Sequence, residues 1–163
     1  RAFGGMALGL IALGTAATAA IGGTAVRSAE DVLANGRIVY IALRPVDPRS
    51  LIQGDYMAVA FNVDRLPAPR GVKGEVVAFA DIDDRSIATI QGLAAPGAKP
   101  QGNQIAVKLR QKSRRWFVGT DAYFFEEGRA DDFAHAKYGQ FRLGADGRLL
   151  LVAMTDGNLK VLP

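Results

Sequence analysis

Apolar residues follow two different rhythms along this chain. From Phe3 to Gly23 they run without a single charge, whereas from Arg37 onward they come in short bursts that alternate with polar residues. The first run holds 21 residues, about 30 Å of helix at about 1.5 Å per residue, enough to cross a hydrocarbon core. Its small residues fall on one face: Gly5, Gly9, Ala12, Ala16 and Ala20 are spaced by three or four, so a second backbone can approach closely. The segment reads as an uncleaved anchor that docks on partner helices. A secretory signal is the competing reading, because Ala17-Thr18-Ala19 has the small-x-small form a signal peptidase accepts. Arg1 in the cytoplasm would put everything after Arg27 outside. A chain that opens on arginine also points to a native start further upstream.

After the anchor, Ser28 to Gly36 (SAEDVLANG) reads as a short helical extension, with Ser28 as N-cap and Gly36 as stop. The rhythm then changes to period two. RIVYIALRP from Arg37, YMAVAFNV over Tyr56 to Val63, EVVAFADI over Glu75 to Ile82 and RSIATIQGL over Arg85 to Leu93 all read as strands. Asp83-Asp84 turns the middle pair, and Ala94 to Asn103 is a loop. IAVKLRQ, RRWFVG and AYFF follow, then a helical turn around DDFAHAKYG. QFRLGADGRLLLVAMT is a hairpin turning at Ala145-Asp146-Gly147, and NLKVL adds an edge strand. The expected fold is therefore mainly β. It has one transmembrane helix (1–27), a helical linker (28–36) and an antiparallel β-rich domain (37–163), barrel-like or sandwich, with one or two short helices.

Composition narrows the chemistry. With 49% hydrophobic and 22% charged residues the chain can bury a core, which excludes a disordered chain. No cysteine is present, so disulfides, zinc–thiolate centres and cysteine nucleophiles are excluded. One histidine argues against a histidine-rich metal site. The formal charge of +4 favours anionic surfaces without naming one.

Several clusters invite a chemical reading and each has a plainer one. Asp131, Asp132 and His135 have helical spacing around a possible metal, but acids at a helix start are accounted for by capping and the dipole. Glu126 and Glu127 would point to opposite faces of a strand. Asp81, Asp83 and Asp84 suit a solvated hairpin better than a calcium site. The strongest surface signal is Lys108, Arg110, Lys112 and Arg114, which period two places on one face, with Arg115-Trp116 as an aromatic flank. Three readings stay open: a solvated or aggregation-resistant strand, a face for anionic lipid or an acidic partner, and, less favoured outside the cytoplasm, nucleic acid.

Pro45-Val46-Asp47-Pro48-Arg49-Ser50 leads into Gly54-Asp55-Tyr56-Met57-Ala58-Val59-Ala60-Phe61. This run resembles the bacterial family named for its G-D-Y-x-x-L-x-Y motif, with Val59 where that family has Leu and Phe61 where it has Tyr. Tyr123 to Gly128, Tyr138, Arg142 and Asp146-Gly147 resemble its second region. The resemblance implies an N-terminal membrane helix and gene neighbours that encode multi-pass membrane proteins, and no assigned reaction. Physically, Pro45 and Pro48 fix φ, Asp47 suits an Asx turn, and Gly54 suits positive φ. Asp55 then caps the turn inward or pairs with Arg49, and Tyr56 opens a core strand. The alternative is that Asp55 and Tyr56 line a groove. A second run, Pro48-x-Ser50-Leu51-x-x-Gly54-Asp55, is similar to one in membrane-anchored signal peptidases. Their nucleophilic serine lies eight residues before the glycine, where this chain has Val46, so the serine–lysine mechanism lacks its hydroxyl. Ser50 is the one remaining nucleophile on that reading.

The leading expectation is a single-pass accessory or structural subunit of a bacterial inner-membrane complex, its β domain extracytoplasmic. Its partners would be integral membrane proteins and lipid, in a hetero-oligomer, with no nucleic acid, cofactor or metal. The rivals are an anchored hydrolase on a signal-peptidase-like barrel and a periplasmic small-ligand module.

Overall fold

A computed structural model describes residues 23–24, 26–44, 52–53, 56–63, 66, 74–112, 115–120 and 122–163. The chain divides into two compact units after Asn35. In the first, residues 23–24 and 26–35 are helical, with the Asn35 amide Nδ2 donating to Asp31 Oδ1 at 2.7 Å. Ser28 therefore lies inside a helix rather than capping one, while the stop at Gly36 falls where glycine placed it. Among the described residues no helix is long and apolar enough to cross a membrane. The expected span and its packing face of Gly5, Gly9, Ala12, Ala16 and Ala20 lie outside the described residues.

The second unit is built from antiparallel strands. They are β1 (Arg37–Ala42), β2 (Ile52–Gln53), β3 (Tyr56–Ala58), β4 (Glu75–Ile82), β5 (Ala88–Leu93), β6 (Gln104–Lys112), β7 (Arg115–Val118), β8 (Ala122–Phe124), β9 (Tyr138–Leu143) and β10 (Leu149–Thr155). One 3-10 turn, Ala130–Phe133, stands where the helical turn was expected. The strands form three sheets, ordered β1-β9-β10, β2-β3-β8 and β5-β4-β6-β7. The expected strand over Tyr56 to Val63 is shorter than its pattern. It pairs as β3 only to Ala58, then Phe61 bridges Leu43 at the end of β1. There Arg44 N donates to Ala60 O (2.7 Å) and Asn62 N to Ala42 O (3.2 Å). NLKVL forms a single bridge, Thr155 to Val161, instead of an edge strand.

Alternation decides which side chains enter the core. On β4, Ala78, Ala80 and Ile82 are buried, and on β6, Val107 and Leu109. Between Val59 and Val63 the odd positions are buried while Ala60 is half-buried and Asn62 exposed. Phe141, at the centre of β9, is completely buried. Burying a side chain of that size is worth about 1.5–3 kcal/mol, and Val39 on β1 and Met154 on β10 are equally buried on either side of it.

Two seams join the larger sheets. Tyr40 N on β1 donates to Ser86 O at 2.9 Å just before β5, with a parallel bridge to Ile87. At the other side, beyond the end of the β6–β7 pairing, Lys108 N donates to Gly147 O at 2.8 Å, so the tip of the β9–β10 hairpin takes over the free edge of β6. Gly147 has φ +84°, and a Cβ there would sit 3.2 Å from Ala106 O. The turn needs glycine both for its backbone and for this docking. The β4–β5 hairpin is held by Asp83, whose Oδ1 accepts from Arg85 N (2.9 Å) and Ile87 N (2.7 Å), the solvated turn expected there.

Candidate functional site

The motif segment and the late hairpin meet in the core. Val59 and Phe61 are 5% and 4% exposed. The Phe61 ring packs edge-on against Phe141, centroids 5.1 Å apart and planes inclined at 64°. Gly139 makes room for this pair. A Cβ on it would lie 2.9 Å from both rings and 3.0 Å from Leu151 Cδ1. The apolar half of the motif is therefore locked to β9, 80 residues further along the chain than Phe61. Asp47, Pro48, Arg49, Gly54 and Asp55 lie outside the described residues, as do Val46 and Ser50. The Tyr56 backbone pairs with Gln53 and Phe124.

A second aromatic group closes the region near the 3-10 turn. Phe133 is buried and packs against Tyr123 (centroids 5.5 Å) and Phe125 (4.8 Å, stacked). Arg129 Nε donates to Asp132 Oδ2 at 2.8 Å, and the turn has no side-chain cap. The expected capping role of Asp131 and Asp132 is thus replaced, for Asp132, by an ion pair within the turn. Among the described residues no group of three His, Asp or Glu side chains is placed to hold a metal.

The basic stripe is real as a face but uneven in charge. Val107 and Leu109 point into the core, which turns Lys108, Arg110 and Lys112 outward; Arg114 is outside the described residues. Lys108 is spoken for, its Nζ lying 3.1 Å from Asp146 Oδ2 and 3.6 Å from Glu75 Oε2. Arg110 and Lys112 are exposed, and Arg110 stands opposite Glu75 on one side and Phe117 on the other. Trp116 does not flank this face. It is 6% exposed and belongs to the core, because period two along β7 sends it and Val118 inward.

Asp146 organises the tip of the β9–β10 hairpin. Its Oδ1 accepts from Arg148 N at 3.0 Å, and its Oδ2 accepts from Arg148 Nη2 (3.2 Å) and Lys108 Nζ (3.1 Å). These contacts lower its carboxyl from 3.8 to about 2. The backbone N–H of Arg148 is the largest cause. Burial works the other way, and the Lys108 and Arg148 side chains add to the lowering. Beside this cluster is a cavity of about 160 Å³, lined by Glu75, Lys108, Arg110, Phe117, Gly119, Arg148, Leu149 and Leu150. Sequence reasoning missed it because its walls come from four separate strands. The period-two cations gave one wall, and the hairpin motif Asp146-Gly147 gave the other.

This is an antiparallel β domain in which Val59 and Phe61 of the signature serve the core and charges gather where one hairpin docks on a neighbouring sheet. The chain belongs to the GDYXXLXY protein family, which it matches over residues 18–154. No curated protein and no solved structure matches it.

Proposed function

We propose that the protein is a membrane-anchored accessory subunit of a bacterial inner-membrane complex. Its small-residue helix would dock on an integral membrane partner and its barrel-like β domain would lie on the extracytoplasmic side. The observation that carries this reading is the burial of Val59 and Phe61 against Phe141 and Gly139. In a catalytic family, the signature usually presents reactive groups to a cleft. Here its apolar half joins two distant parts of the chain, which is what a scaffold requires. The two seams at Tyr40–Ser86 and Lys108–Gly147 support a barrel-like closure over a sandwich, since they join the β1-β9-β10 sheet to the β5-β4-β6-β7 sheet at two places. The outward cations Arg110 and Lys112 offer a face to acidic partners or anionic head groups.

The test is composition of the native particle. Solubilised in mild detergent, the tagged protein should bring down a multi-pass membrane protein in fixed ratio, and Gly9→Leu should release it while leaving the β domain folded. A monodisperse lone monomer from native membranes would refute the accessory role.

A further inference from the structure

The cavity beside β6 has features that core packing does not require. Lys108 and Arg110 alternate along one face of β6, so their Cα atoms are about 6.8 Å apart. Arg148 reaches the same space from the docked hairpin, giving three cations and one carboxylate, Glu75, around about 160 Å³. The space is large enough for a small anion such as phosphate. Two of the cations are pre-positioned. Asp146 holds Lys108 and Arg148 through the contacts at 3.1 and 3.2 Å, and the backbone bond from Lys108 to Gly147 fixes the hairpin against β6. Among the described residues, no carboxylate pairs with Arg110 within 4.0 Å, although Glu75 stands directly across the ladder from it. Glu75 is itself 56% exposed and meets Lys108 only at 3.6 Å, so it can turn to water when another anion arrives.

We propose that this cavity is a phosphate-binding site, with the Arg110 fork as its main donor and Lys108 and Arg148 as flanking cations. Donors from three separate backbone positions suit a tetrahedral anion with several oxygens better than a planar carboxylate. Phe117 and Leu150, both half-buried, give the rest of the ligand an apolar wall. The phosphate belongs either to a soluble compound or to a lipid head group, two sources that share this chemistry. The site stands independently of the accessory role proposed above, since it needs no partner protein.

The experiment is calorimetric titration of the full chain in uncharged detergent with inorganic phosphate, and flotation with phosphatidylcholine vesicles with and without phosphatidic acid. Arg110→Ala should weaken phosphate or phosphatidate binding by about tenfold or more, as loss of one charge-assisted donor does, with an unchanged melting temperature. Lys99→Ala, an exposed cation on the 94–103 loop that does not line the cavity, should leave binding within about twofold. An Arg110-dependent response to inorganic phosphate alone assigns a soluble ligand, and one to phosphatidate vesicles alone assigns a head group; both support the site. No saturable response to either, or equal weakening by the two substitutions, overturns it. Saturable binding of acetate as tight as that of phosphate also overturns it, because a carboxylate would then be the ligand.

Discussion

Replacing Phe61 by alanine removes a ring that is 4% exposed and stands edge-on to Phe141 at 5.1 Å. Truncating a buried phenylalanine costs about 3–5 kcal/mol, through lost transfer energy and the cavity left behind. The aromatic geometry accounts for about 0.5–1.5 kcal/mol of that. The upper half of the range applies here. Gly139 has no side chain to fill the gap, and Phe141 is fully buried, which leaves Leu151 as the nearest group able to relax. Against a typical total of about 5–15 kcal/mol the variant still folds when cool. For a domain of this size, the loss corresponds to a fall of roughly 10–20 °C in melting temperature. Far-UV circular dichroism during heating measures it, with a urea titration whose slope should not change. A loss below about 1 kcal/mol would refute the reasoning, because such values belong to exposed positions. Phe61 would then be an outward residue and the motif a surface feature.

Gly139→Ala tests the same junction from the other side. A Cβ 2.9 Å from two rings and 3.0 Å from Leu151 Cδ1 should cost about 1–3 kcal/mol by overpacking, read from urea midpoints, and an unchanged midpoint would sink the close-packing argument. Asp146 sets a pH dependence. Its folded value is depressed from 3.8 to about 2, so its stabilisation is complete above about pH 4 and is lost as pH falls toward 2. With the side chain 42% exposed, the amount is about 1 kcal/mol after allowance for solvent screening. Asp146→Asn should be less stable near neutrality by that amount and should lack the corresponding loss between pH 4 and 2. Parallel stability curves for the two proteins would count against the network.

What the sequence revealed depended on how local the cause was. EVVAFADI was legible as a strand, but not which face it buries, because apolar residues stand on both: Ala78, Ala80 and Ile82 turn inward and Val77 outward. The turns at Asp83 and Asp146-Gly147 were equally plain, since each is closed by an Asx contact within a few residues. Lys108, Arg110 and Lys112 alternate with the buried Val107 and Leu109 along β6, and Arg114 lies outside the described residues. That Lys108 is partly neutralised was hidden, because Glu75 and Asp146 are 33 and 38 positions away, the first meeting it across the β4–β6 ladder and the second only where two sheets join. Trp116 was misread because its basic neighbour suggested an interface, whereas its parity on β7 decides burial. The strand from Tyr56 breaks at Val59 for a similar reason: its pattern continues, but its backbone changes partner from β8 to the end of β1.

The central claim is that the apolar end of the motif, Val59 to Phe61, is a fixed part of the core and not a mobile lid over a ligand. Native-state hydrogen exchange on the amides of Arg44 and Asn62, which tie this segment to β1 at 2.7 and 3.2 Å, tests it most directly. The account predicts that both exchange only with global unfolding, at the same free energy as the centre of β9. Exchange through a local opening several kcal/mol below that limit would mean that the segment undocks on its own, and would contradict the account.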